Sequence, residues 1–265
     1  MMAKAVAVQK SSAMIISGND IDLEELAREA APLAGAGTSQ DRADNLIPYL
    51  TILQDMSPQV KKRDPAYIEG AEPGMIMRTD IKKIYSGTEG VIFQPCHFSK
   101  KWVEWVPIDA GGGGGAGFKG MFDVMPANAT QKPDKPNSWH LPNGNDVVET
   151  RYHFGNILNP DANRADPCII SFSSSGHTVS KSWMALMNQF RIGAGITAPS
   201  FFRAYRMTVT ERKNSMGTWF VFKPEDLGWV SKDLRELGHQ LYTSVAAGEK
   251  KAAQPVTIDN EDPPF

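Results

Sequence analysis

Cysteine is scarce in this chain: Cys96 and Cys168 are the only two in 265 residues. Two cysteines cannot make the disulfide framework of a small secreted fold, and a reducing, cytoplasmic setting follows. Long apolar runs are missing as well. No stretch reaches the roughly 18 apolar residues of a membrane helix, so no membrane partner is expected. Lys4 and Lys10 are followed by no continuous apolar segment, which argues against a secretory signal.

Catalytic and metal-binding motifs are also absent. Cys96, His97, His140, His153, Cys168, His177 and His239 contain no Cys-x-x-Cys or His-x-x-x-His pair. Adjacent Cys96 and His97 would point to opposite sides of a strand and could not share one ion. No metal or other cofactor is expected. Neither Gly-x-Ser-x-Gly nor His-Glu-x-x-His occurs, and the serines of Ser173-Ser174-Ser175-Gly176-His177 are not a triad by sequence adjacency alone. The run Gly111–Gly117 lacks the Gly-Lys-Ser/Thr ending of a phosphate loop and reads as a hairpin connection. The chain is therefore expected to be a non-enzyme with no catalytic residues.

Net charge is small, −2, but unevenly spread. Residues 1–50 hold seven acids against four bases, and residues 252–265 hold three acids and no base. Each end thus carries −3, so the body, residues 51–251, carries +4. A mildly basic body with acidic ends suits an anionic partner.

What is present is mostly β signal. Leu46–Gln54 reads as a strand, its first half at an edge because of Pro48. Gly74–Arg78 and Lys82–Tyr85 are short strands. Residues 90–106 read as a hairpin turning at Ser99-Lys100, with Pro95 marking a bulge or an edge. Residues 125–150 hold four prolines and read as a long loop. Arg151–Leu158 and Pro167–Ser173 return to strands. Val179, Trp183, Leu186 and Phe190 share one helical face within 178–192. In Arg203–Thr210, Tyr205, Met207 and Val209 alternate with Arg206, Thr208 and Thr210. Thr218–Phe222 is its antiparallel partner, and a last helix is predicted over 225–246. A short amphipathic helix is predicted over 21–34. The pattern predicts a mainly β, α+β domain: an OB-like small β-barrel with long loops, a C-terminal helix and a disordered acidic tail. Its predicted divisions are an N-terminal helix and linker (1–43), an OB-like domain (44–248) and a flexible acidic tail (249–265).

The chain ends Asp259-Asn260-Glu261-Asp262-Pro263-Pro264-Phe265. This segment is too acidic and too short to bury apolar surface, and its prolines favour an extended course. It resembles the C-terminal tip of single-stranded-DNA-binding proteins, in which an acidic segment ends on Pro-Phe or Phe; the rest of the chain lacks the bacterial N-terminal pattern, so a phage-type or divergent member is indicated. The resemblance implies an OB-fold, and a tip that recruits replication, recombination and repair proteins and competes with DNA for a basic groove. It makes Asp259, Glu261, Asp262, Pro263, Pro264 and Phe265 the protein-interaction residues.

Binding of single strands without sequence preference needs aromatic faces for bases and cations for the phosphates between them. Two predicted hairpins offer both, the first with Lys100, Lys101 and Trp102, the second with Arg203, Tyr205, Arg206, Trp219, Phe220 and Lys223. Lys61, Lys62 and Arg63 add a basic turn. Alternation allows at most half of these aromatics to face a groove, and Tyr205 and Arg206 must face opposite ways. The expected function is coating and protection of single-stranded DNA, in a bacterial host cytoplasm if the gene is a phage's. The alternatives are a non-enzymatic virion or assembly protein and, behind it, a DNA-processing enzyme. A homo-oligomer is compatible with every reading.

Overall fold

A computed structural model describes residues 28–30, 32, 46–107, 117–133, 135–159, 164–215 and 217–253. The chain divides into two compact units, Met1–Asp41 and Arg42–Phe265. In the first, residues 28–30 are helical; the remainder of the helix expected at 21–34 lies outside the described residues. The acidic tip and most of the Gly111–Gly117 run also lie outside them.

Strands make up 47% of the structure, enough to define a mainly β, α+β domain whose sheet curls into an OB-like half-barrel. Its spine is two long antiparallel strands, β5 (Val91–Trp105) and β9 (Asp146–Asn159), paired from Ile92↔Leu158 to Trp105↔Asp146. At one end, β5 carries the ribbon β13 (Arg203–Asn214) and β14 (Gly217–Trp229), and β9 carries β10 (Arg164–Phe172). At the other end lie β6 (Phe118–Phe122), β7 (Thr130–Lys132) and β8 (Lys135–His140). Short strands β1 (Leu46–Ile47) and β15 (Lys251–Ala252) pair in parallel where the domain begins and ends.

A three-stranded sheet, β2 (Leu50–Ile52), β3 (Ile76–Arg78) and β4 (Lys83–Tyr85), bridges the open side. Beside β10, the Ile169 amide donates to the Pro48 carbonyl at 2.9 Å. Beside β14, the Gln54 carboxamide behaves as a strand residue: its Nε2 donates to the Phe220 carbonyl and its Oε1 accepts from the Phe220 amide, both at 2.9 Å. Gly74 closes on the same residue. Its φ is +83°, and a Cβ there would stand 3.0 Å from the Phe220 ring, so glycine is required twice over.

Helix α1 (Gly176–Met187) plugs the barrel with Trp183, which is 0% exposed and touches Phe93, Phe172 and Tyr205. Helix α2 (Lys232–Ala246) is capped by the Ser231 hydroxyl, which accepts from the Leu234 amide. It packs Gly238 against Phe201 and Gln94. Buried Gln94 donates to the carbonyls of Phe201 (2.8 Å) and Leu234 (2.7 Å) and accepts from Asn156 (3.1 Å), so its polar atoms are satisfied as it joins β5, β9 and α2.

Four sequence expectations are corrected. Residues 91–105 form one strand, not a hairpin, because β9 pairs straight through Ser99 and Lys100; Pro95 instead marks a bulge in that pairing. The expected loop 125–150 contains β7, β8 and the start of β9. The last helix begins at Lys232, since residues 225–229 continue β14 against Arg203–Arg206. The helix placed at 178–192 ends at Met187, and Arg191-Ile192 instead forms the short strand β11, paired with β12 (Ile196–Thr197).

Candidate nucleic-acid interface

The β13–β14 ribbon sorts its side chains by alternation. On one face Tyr205, Met207 and Val209 pack into the core with Phe222. The other face of β13 therefore carries Arg206, Thr208, Thr210 and Arg212. Directly opposed antiparallel residues share a face, and the register is Arg206↔Glu225, Thr208↔Lys223 and Arg212↔Trp219. Three cations, two hydroxyls and an indole thus line one face of one ribbon.

The cations differ in how they are held. Arg206 donates to the Glu89 carbonyl at 3.1 Å. Lys223 bonds Glu225 at 2.7 Å, and this hydrogen bond, with the lysine's charge behind it, holds the Glu225 carboxyl below the usual carboxylate range. Arg212 is exposed, and its guanidinium has no acceptor among the described residues.

Two recesses flank β14. The smaller, about 100 Å³, lies between Ile52 of the bridging sheet, Gln54 just beyond it, the Ser173–Gly176 turn and residues Trp219–Phe222. Within that turn Ser174 has a φ of +44°, a left-handed backbone uncommon for serine. The Trp219 indole N–H is buried and has no acceptor among the described residues. The larger recess, about 420 Å³, lies between α1 and the ribbon, with Arg212 and Lys223 among its lining.

The expected site residues separate into four groups. Arg206, Trp219 and Lys223 share the ribbon face just described. Lys61, Lys62 and Arg63 form a turn after the 3-10 segment Pro58–Val60, on a loop whose two ends, Gln54 and Gly74, both close on Phe220. No ion pair engages these three cations among the described residues. Lys100 and Lys101 lie on β5 and are compensated, by Glu149 (3.7 Å) and Asp123 respectively.

The remaining four are structural, which corrects their expected role. Tyr205 is 0% exposed against Trp183. Trp102 packs edge-on to Trp139 and is covered by Leu141 and Val147, with the Lys100 ammonium 5.5 Å from its ring centre. Phe220 turns to the core and to Gly74. Arg203 is buried, paired with Asp226 (Nε–Oδ1 2.9 Å) and sandwiched between Phe190 and Trp229, its guanidinium 3.6 and 4.5 Å from the two ring centres. Buried charges so fully paired are not offered to phosphate.

Arg212 is the residue that sequence reasoning missed. Its signal was available: the alternation 206, 208, 210 continues one step to 212. Among the described residues no three His, Cys, Asp or Glu side chains converge as a metal site, and no helix is long and apolar enough to cross a membrane. A family model described as Pam3 phage gp34-like protein matches residues 22–251. No curated protein and no solved structure matches the chain.

Proposed function

The chain belongs to the Pam3 phage gp34-like protein family, and we propose that it is a single-stranded-DNA-binding protein of that phage-associated group. The observation that carries this reading is the ribbon face on which Arg212 stands opposite Trp219, with Lys223 and Arg206 further along the same face. Single-strand binding without sequence preference uses this combination: an aromatic platform for bases, and cations spaced along it for phosphates. The turn Lys61–Arg63, on the loop that Gln54 and Gly74 anchor to Phe220, adds three further cations. No bond is made or broken in this mechanism. Bases stack, phosphates displace counterions, and the strand is shielded from nucleases and re-pairing during replication or recombination.

The acidic tip Asp259–Phe265 supplies the second half of the proposal. Three carboxylates and a terminal aromatic suit a basic, apolar-centred surface on a replication or recombination partner. The same charge competes with DNA for the ribbon. Fluorescence anisotropy of labelled oligo-dT and of a duplex of equal length, across a salt series, tests the reading. Preference for the single strand with affinity falling as salt rises supports it; indifference to strandedness favours the virion or assembly alternative.

A further inference from the structure

The larger recess differs in chemistry from the stacking face beside it. Its walls are Val179 and Leu186 of α1 and Phe222 and Pro224 of β14. Hydroxyls of Thr178, Ser182 and Thr210 point to a second kind of partner, since each can both donate and accept. Arg212 and Lys223 supply positive charge, and Arg212 has no acceptor of its own among the described residues. At about 420 Å³ the space falls within the roughly 300–1,000 Å³ of small-molecule pockets.

We propose that this recess is a mononucleotide pocket: it takes one unstacked base of a bound strand between Val179, Leu186 and Pro224, with the attached phosphate on Arg212. The proposal deepens the single-strand reading by giving one nucleotide a fixed seat among the stacked ones. Apolar walls accept the flat faces of any base. Hydroxyls serve its edge without selecting one, because their donor and acceptor roles can exchange. A guanidinium matches phosphate in two-pronged fashion. Trp183, fully buried in the same core cluster as Phe222, also lines the recess and gives it a rigid floor.

The test uses the full chain and thymidine monophosphate, titrated by calorimetry, with inorganic phosphate and thymidine as separate arms. The variant Ser182→Trp fills the recess from an exposed helix position, so folding is expected to survive and is checked by its melting temperature. Arg212→Ala removes the phosphate partner. Binding of the nucleotide that Ser182→Trp abolishes and Arg212→Ala weakens about tenfold supports the proposal. No nucleotide binding, binding unchanged by both variants, or phosphate alone binding as well as the nucleotide overturns it. Ser182 lies on α1 and off the ribbon, so Ser182→Trp separates the two readings: a native chain that binds oligo-dT but no nucleotide sinks only this inference, whereas nucleotide binding without oligo-dT binding sinks the stacking face and leaves a site for free mononucleotides.

Discussion

Arg212 and Trp219 stand directly opposite each other across the β13–β14 ribbon. A cation and an indole so placed offer a phosphate and its base adjoining contacts. Trp219→Ala is expected to weaken oligo-dT binding by about 1–3 kcal/mol, one stacked base. Arg212→Ala is expected to reduce the slope of log affinity against log salt by about 0.7, one phosphate contact on a single strand. Anisotropy titrations at several salt concentrations read both.

Trp102 and Tyr205 give the opposite expectation. Each is in a core cluster, so alanine at either position costs about 3–5 kcal/mol of stability. The fraction that remains folded binds oligo-dT with unchanged affinity. Denaturant unfolding and anisotropy, run on the same samples, separate the two effects. Weaker binding by a fully folded Trp102→Ala would return that tryptophan to the interface.

Gln54 closes the barrel by standing in for backbone. Gln54→Leu leaves the Phe220 amide and carbonyl without these partners, at a cost of about 1–3 kcal/mol. The Phe220 amide is expected to lose hydrogen-exchange protection while Ile169, on the opposite seam, keeps its own.

His153 links acid to unfolding. It is buried, stacks on Trp183 at 4.6 Å and bonds the Ser180 hydroxyl at 2.8 Å. Burial first, and the Arg151 charge second, lower its pKa to about 3. The unfolded chain takes up this proton near pH 6.5, and the native state does not. Stability from this group is therefore whole above pH 6.5 and falls as pH drops toward 3, by roughly 1.4 kcal/mol per unit. His153→Gln, which does not titrate, is expected to flatten that part of a melting-temperature profile.

The ribbon was legible because its alternation is local: Tyr205, Met207 and Val209 announce the core face, and their neighbours the other. The spine was not. Ser99-Lys100-Lys101 looks like a turn until β9, some fifty residues on, pairs through it. Trp102 beside two lysines looks exposed for the same reason. Its cover comes from Trp139, Leu141 and Val147, in a stretch whose prolines and asparagines suggested only loop. Pro224-Glu225-Asp226 resembles a helix opening, whereas Asp226 is held in β14 by Arg203. Pairings made at long range decided each of these cases, and no local pattern encodes them.

The acidic tip gives a charge prediction. Replacing Asp259, Glu261 and Asp262 by their amides in the full chain is expected to tighten oligo-dT binding at low salt, with the gain vanishing at high salt as screening shortens the field.

The central claim is tested most directly by one competition. Labelled oligo-dT bound to the full chain is challenged with unlabelled single strand or duplex of equal length, for the native protein and for Arg212→Glu combined with Trp219→Ala. The account predicts displacement by the single strand at far lower concentration than by the duplex, and loss of that preference in the double variant. Equal displacement by both competitors, or a double variant that binds as the native protein does, would contradict it.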